Sequence, residues 1–195
     1  MIPSLPAIIP AAGRSSRMGS PKPLLDSGGA TFLARILSTL RSGGAHPLLV
    51  VVPDLKGAVA AEARREGGEV LLNPDPSPGP VSSLQAGIRA LSTESAGVLF
   101  SPVDHPLFAP ETVTALLRAF HEFEPPLVVP SHHGWRGHPV LFSRQLFPEL
   151  LEDDLPEGAR TVVRRYLEAR LQLPVDDPGI LANIDTPEEY RKHFP

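Results

Sequence analysis

The chain has 195 residues, 42% of them hydrophobic and 21% charged, which is enough for one domain with a substantial buried core. A net charge of −4 argues against a general nucleic-acid binder, whose phosphate contacts need a basic face, so any anion site must be local. The absence of cysteine excludes disulfides and thiolate metal sites, and no apolar run approaches the roughly 20 residues of a membrane span.

The first six residues lack the basic segment and long apolar core of a signal peptide, so a cytoplasmic protein is expected. The apolar run from Ala7 to Pro10 reads as a buried strand. It empties into Ala11-Ala12-Gly13-Arg14-Ser15-Ser16-Arg17-Met18-Gly19-Ser20-Pro21-Lys22, small residues carrying three cations. Such a loop suits a nucleoside triphosphate: Gly13 and the alanines admit close backbone approach, and Arg14, Arg17 and Lys22 offset phosphate charge. It carries neither the Walker A spacing nor the Gly-x-Gly-x-x-Gly fingerprint. An exposed basic turn after an edge strand is the competing reading.

Residues 31–41 follow as a helix, with Phe32, Leu33, Ile36, Leu37 and Leu40 on one face and Gly43-Gly44 as its stop. Residues 48–52 form a strand without alternation, as in a parallel sheet covered on both faces. A helix over 54–66, a strand over 69–72, a helix over 81–91, a strand over 97–101 and a helix over 111–123 continue the pattern. The 24 prolines fall mostly between these segments, most densely in the shaped loop 73–80. Strands at 126–130 and 139–142, a helix over 158–168, a strand near 171–175 and a closing helix from Pro187 complete the chain. The alternation predicts a single α/β domain over residues 1–195. Its expected architecture is three-layer α/β/α, a Rossmann-like and mostly parallel sheet with ligands at the carboxyl ends of the strands.

Several polar segments beyond the opening loop could carry chemistry. Asp104, in Ser101-Pro102-Val103-Asp104-His105-Pro106, sits after a strand, where a carboxylate either ligates Mg²⁺ or caps a turn. Asn183-Ile184-Asp185-Thr186-Pro187-Glu188-Glu189 starts a helix with Thr186 as N-cap and Glu189 as its capping-box partner. That leaves Asn183 and Asp185 unexplained on one face of an extended segment. Ser82 and Ser83 open a helix, either to hold a base or ribose or as simple caps. His138, between Gly137 and Pro139, is a substrate ligand or a structural histidine. His132 and His133 should point to opposite faces of an extended chain, so a solvated loop is expected rather than a metal site. Trp135 is a stacking lid or a core plug.

These segments together carry a resemblance. The chain reads Ala11-Ala12-Gly13-x-Ser15-x-Arg17-Met18-Gly19-x-Pro21-Lys22-x-Leu24-Leu25, then Gly79-x-x-Ser82-Ser83-Leu84, Asp104-x-Pro106, Gly137-His138-Pro139-Val140 and Ile184-Asp185-Thr186-Pro187-Glu188. This resembles the nucleotidyltransferase group that contains molybdenum cofactor cytidylyltransferase and guanylyltransferase, over nearly the whole chain. The resemblance implies transfer of a nucleoside monophosphate from a triphosphate to an acceptor phosphate, with molybdopterin (molybdenum cofactor) as the expected acceptor, and release of pyrophosphate. It implies that Pro10, Ala11, Ala12 and Gly13 frame the base and that Arg17 and Lys22 bind the triphosphate. Asp104 and Asp185, with Asn183 beside them, would hold Mg²⁺. Arg14, Ser15, Ser82 and Ser83 complete the nucleotide side, and Trp135, His138 and Arg160 are candidates for the acceptor side.

Guanylyl-transferring members carry a second glycine where this chain has Ala12, so CTP is the expected donor. Three departures stand out: Pro10 in place of a usual leucine, His105 in place of the common glutamine, and Leu155-Pro156-Glu157 ahead of Gly158-Ala159-Arg160. The last lies on the acceptor side. Two other readings stay open, a sugar- or alditol-phosphate nucleotidyltransferase and a catalytically silent nucleotide- or cofactor-binding module serving a molybdoenzyme partner. A monomer is expected in either case.

Overall fold

The computed structural model describes residues 2–13 and 20–194, so Arg14, Ser15 and Arg17 lie outside the described residues. Four strands form the parallel half of the sheet: β1 (Ala7–Pro10), β2 (Leu48–Val52), β3 (Glu69–Leu72) and β4 (Gly97–Phe100). The other half holds β5 (Leu127–His132), β6 (Trp135–Arg136), β7 (Val140–Ser143) and β8 (Leu171–Pro174). The order is β3-β2-β1-β4-β7-β5-β6, with β8 pairing to β5. β7 runs antiparallel to both β4 and β5, so β4 and β5 point the same way and their carboxyl ends share one edge with those of β1 and β2.

Helices α1 (Phe32–Ser42), α2 (Ala58–Arg65), α3 (Pro80–Ala90) and α4 (Pro110–Phe123) are joined by α5 (Phe147–Leu150), α6 (Ala159–Arg165) and α7 (Pro187–His193). Side chains of the central strands β1, β2 and β4 alternate between two cores. Ile9, Val50, Val52 and Leu99 pack with Leu33, Leu37, Leu116 and Leu117 of α1 and α4. Ile8, Leu49, Val51 and Val98 pack with Leu84 and Ile88 of α3, Leu150 of α5 and Val162 of α6. Both faces are therefore covered, which explains the unbroken apolar runs. Each fully buried aliphatic side chain contributes about 1.5–3 kcal/mol, so the two cores fix the strand order that shapes the site.

The expected elements are present with shifted ends. The helix after β2 starts at Ala58 rather than 54, because Asp54 closes a turn first: its Oδ1 accepts from the Lys56 amide at 2.8 Å. The helix expected over 158–168 ends at Arg165, followed by turns. Short 3₁₀ turns at Lys22–Leu24, Arg144–Leu146 and Pro178–Leu181, together with α5, carry no periodicity long enough to read. Thr186 and Glu189 form the expected capping box, with Glu189 Oε2 accepting from the Thr186 amide at 2.9 Å. No helix among the described residues is long and apolar enough to cross a membrane.

Candidate functional site

A cavity of about 270 Å³ opens at the carboxyl ends of β1 and β4. The segment Pro10, Ala11, Ala12 and Gly13 forms one wall, α3 contributes Gly79, Pro80 and Ser83, and Pro102, Val103 and Asp104 follow β4. Lys22 and Asp185 close it. The Ala11 amide still donates to Val51 at 2.8 Å, so the wall continues the β1–β2 pairing one residue past the strand. Ala11 and Ala12 are each 3% exposed, and their small side chains keep the backbone next to the open space.

Asp104 and Asp185 reach this cavity from segments distant in the chain. The Ile184 amide donates to the Asp104 carbonyl at 2.8 Å, which brings the next residue, Asp185, alongside. Lys22 Nζ pairs with Asp185 Oδ1. Asn183 is exposed and outside the cavity lining; its Nδ2 donates to Asp185 Oδ2 at 3.2 Å and steadies that carboxylate. The Asp185 amide is in turn held by Glu189 Oε2 at 2.7 Å.

Oxygen Oδ1 of Asp104 is buried and has no hydrogen-bond partner among the described residues. Leaving a charged acceptor unsatisfied costs more than the 1–3 kcal/mol of a neutral group, and a cation removes that cost. Two carboxylates also suit Mg²⁺, which usually takes one or two protein carboxylates plus substrate phosphates and water. The residues present therefore fit a divalent cation. Among the described residues no three histidine, aspartate or glutamate side chains converge on one point, so a closed protein-only metal cage is absent there.

Beside Asp104 lies a histidine pair. The rings of His105 and His138 stand 4.5 Å apart, and the Nδ1 atom of each is buried with no hydrogen-bond partner among the described residues. Burial pushes the His138 imidazole down to about 3, reinforced by its neighbour His105 and by the Arg160 charge against the opposing Phe100 carbonyl. Burial likewise lowers His105, opposed chiefly by Asp104 and then Asp185. Gly137 is obligatory here: a Cβ on it would stand 2.1 Å from the Ile180 carbonyl, the same oxygen that accepts the His138 amide at 3.0 Å.

The remaining predicted residues divide. Ser83 lines the cavity and Ser82 does not; neither caps α3, whose N-cap is Gly79 at φ 86°. Arg160 is exposed at the start of α6, near enough for its charge to act on His138. Trp135 is 74% exposed on β6 and outside the cavity lining, so it is not a core plug. The reading of His132 and His133 as pointing apart is corrected: their rings are 4.2 Å apart, because His133 turns to φ 49° and breaks the alternation. His132 Nδ1 donates to the Val175 carbonyl at 3.1 Å, a structural use. Sequence reasoning missed Asn73, which binds both serines; only its place after a strand hinted at a role.

Residues 7–171 match the MobA-like NTP transferase domain. The chain belongs to this family. It is 34% identical to the molybdenum cofactor guanylyltransferase of Rhizobium meliloti (strain 1021), over 96% of this chain and 89% of that protein. It is 23% identical to the molybdenum cofactor cytidylyltransferase of Escherichia coli (strain K12), over 96% and 94%. Among solved structures it is similar to Rv0371c of Mycobacterium tuberculosis H37Rv, with a TM-score of 0.82 and 27% identity over 99% of this chain and 98% of that one. A manganese complex of Rv0371c matches at a TM-score of 0.78 and 25% identity over 97% of each chain. As a MobA-like domain, the chain is a member of a nucleotidyltransferase enzyme family.

Proposed function

We propose that this MobA-like domain transfers a nucleoside monophosphate from a nucleoside triphosphate to the phosphate of a molybdopterin-type acceptor, releasing pyrophosphate. The convergence of Lys22, Asp104 and Asp185 on a cavity walled by the small residues after β1 carries the reading. A phosphate oxygen of the acceptor attacks the α-phosphorus in line, the new P–O bond replaces the bond to the β-phosphate, and pyrophosphate leaves. No protein nucleophile is needed, so the chain supplies position and charge neutralisation. Lys22, with Arg17, binds triphosphate oxygens. Asp104 and Asp185 hold Mg²⁺, with Asn183 steadying Asp185; when bound, the ion offsets charge on the phosphates and the leaving pyrophosphate. The manganese complex of the Rv0371c relative supports a divalent cation in this fold. His138 and Arg160 lie on the acceptor side.

CTP is the donor we favour, because the Ala12 methyl group stands in the cavity wall and crowds a purine more than a pyrimidine. GTP is the second reading, favoured by the guanylyltransferase relative at 34% identity. Calorimetric titration of CTP, GTP, ATP and UTP with Mg²⁺ tests both. Selective binding of CTP that weakens in Asp104→Ala supports the first reading, GTP preference supports the second, and no binding contradicts a nucleotide site altogether.

A further inference from the structure

Helix α7 has 7 residues, and none of them is buried. Isolated helices shorter than about 12–15 residues are marginal in water, so a few contacts with the rest of the domain must fix its position. That position matters for the cavity, because Asp185 is tied to the helix. Glu189 Oε2, in the first turn of α7, accepts from the Asp185 amide at 2.7 Å and from the Thr186 amide at 2.9 Å.

Tyr190 supplies two of the fixing contacts. Its ring stacks on Phe32 with centroids 6.1 Å apart, and Phe194 packs against both rings at 5.5 and 5.4 Å. Its hydroxyl donates to the Asp26 carbonyl at 2.9 Å. The surface it meets is held firmly. Phe32 is fully buried on α1, its amide donates to the Leu25 carbonyl at 2.8 Å, and Asp26 pairs with Thr31 in a bridge. The same two stretches of chain are thus joined twice. Lys22 pairs with Asp185 at the first cavity, and Asp26 pairs with Tyr190 about one helical turn further on. Beside the second fastening lies another cavity, of about 450 Å³, whose lining includes Asp26, Arg35, Tyr190 and His193. Packed side chains therefore do not back the fastening on that side.

We propose that Tyr190 is a positioning residue: by docking α7 on Phe32 and Asp26 it holds the Asp185 carboxylate in place for a divalent cation. This rests on the reading of Asp185 as a cation ligand. Tyr190 is outside the lining of the nucleotide cavity, so it acts through the helix and not by contact. Its effect falls on the fraction of molecules with α7 docked, and apparent cation affinity scales with that fraction. Linkage makes the effect mutual, so a cation at Asp185 stabilises the docked helix by the same factor.

The test measures how far Mg²⁺ tightens nucleotide binding. Calorimetry on the full chain gives the dissociation constant of CTP or GTP, whichever the parent prefers, with Mg²⁺ and with EDTA. The ratio of the two constants is the cation enhancement, and thermal melts check folding. Tyr190→Ala removes ring and hydroxyl and cuts the enhancement about tenfold, leaving the constant in EDTA within twofold of the parent. Tyr190→Phe keeps the ring and cuts it about two- to tenfold, the span of one net hydrogen bond. Asp185→Ala also cuts the enhancement, and adding Tyr190→Ala to it changes nothing beyond twofold, because the route runs through Asp185. In the parent with nucleotide bound, Mg²⁺ slows hydrogen exchange at the α7 amides.

An enhancement in Tyr190→Ala within twofold of the parent would overturn this inference alone and leave the nucleotide site standing. Equal weakening with Mg²⁺ and with EDTA, or effects that multiply in the double variant, would reduce Tyr190 to a general structural residue. Exchange at α7 that ignores Mg²⁺ would overturn the coupling. If Tyr190→Ala does not fold, Tyr190→Phe decides by the same measurements. A parent that binds nucleotide equally with and without Mg²⁺ would overturn the cation reading together with this one, and no nucleotide binding at all would overturn the functional reading as well.

Discussion

The Ile184 amide and the Asp104 carbonyl meet at 2.8 Å, and this one bond fastens the C-terminal segment to the loop after β4. Asp185 follows Ile184 directly, so the bond also sets two carboxylates on the same cavity. One of them, Asp104, keeps a buried oxygen with no hydrogen-bond partner among the described residues. On the proposed reading, that oxygen is where a divalent cation would be held.

Asp104→Ala is expected to lower turnover at least about 10²-fold, the scale of one lost electrostatic contact to developing charge. The same change relieves an unsatisfied buried oxygen, so its melting temperature should match or exceed that of the parent. Steady-state pyrophosphate release and a thermal melt check the two halves. Near-normal turnover would remove Asp104 from the cation site.

Lys22→Ala takes away one partner of Asp185 and a cation on the cavity wall. Nucleoside triphosphate binding should weaken about tenfold or more, with a smaller effect on the monophosphate, which lacks the outer phosphates. Calorimetry with both ligands reads the difference. Equal affinities in parent and variant would return the opening loop to a plain basic turn.

Gly137→Ala forces a methyl group to within 2.1 Å of the Ile180 carbonyl. Backbone cannot yield cheaply there, and we expect a loss of about 1–3 kcal/mol, the usual cost of overpacking. Urea unfolding measures it. An unchanged midpoint would mean that the turn before His138 relaxes without cost.

The pH dependence of stability follows from His138. Its value falls from the ordinary 6.5 to about 3 on burial. Between those values the unfolded chain binds a proton that the folded chain refuses, so stability falls as pH drops through that window and is fully present above 6.5. His138→Gln should flatten that part of the curve of urea midpoint against pH. Parallel curves for the two proteins would contradict a buried, neutral His138.

Ala12→Gly should move donor preference toward GTP. One methyl group in a pocket discriminates by about 1–3 kcal/mol, or roughly 10–200-fold. The ratio of CTP to GTP dissociation constants in parent and variant decides the point, and an unchanged ratio would clear Ala12 of any part in base choice.

Much of this was legible in the residues. The runs Ala7–Pro10 and Leu48–Val52 lack alternation because both faces of the sheet are covered, and that pattern survives in one dimension. Pro10 to Gly13 and Asp104 could be placed because each follows a strand whose carboxyl end faces the cavity. What could not be read depends on partners distant in the chain. The insertion of β7 between β4 and β5 reverses the sheet at that point, and no local pattern encodes it. The Ile184–Asp104 bond, the packing of His105 against His138 and the hold of Asn73 on two serines are equally long-range or side-chain-specific. His133 misled because a single residue at positive φ cancels strand alternation.

The most direct measurement is product formation. The purified protein is incubated with Mg²⁺, molybdopterin and either CTP or GTP, while pyrophosphate release and the mass of the pterin product are followed. The expected result is one pyrophosphate per pterin dinucleotide formed, faster with CTP, and lost in Asp104→Ala. Nucleotide binding without pyrophosphate or dinucleotide from either donor would contradict nucleotidyl transfer to this acceptor.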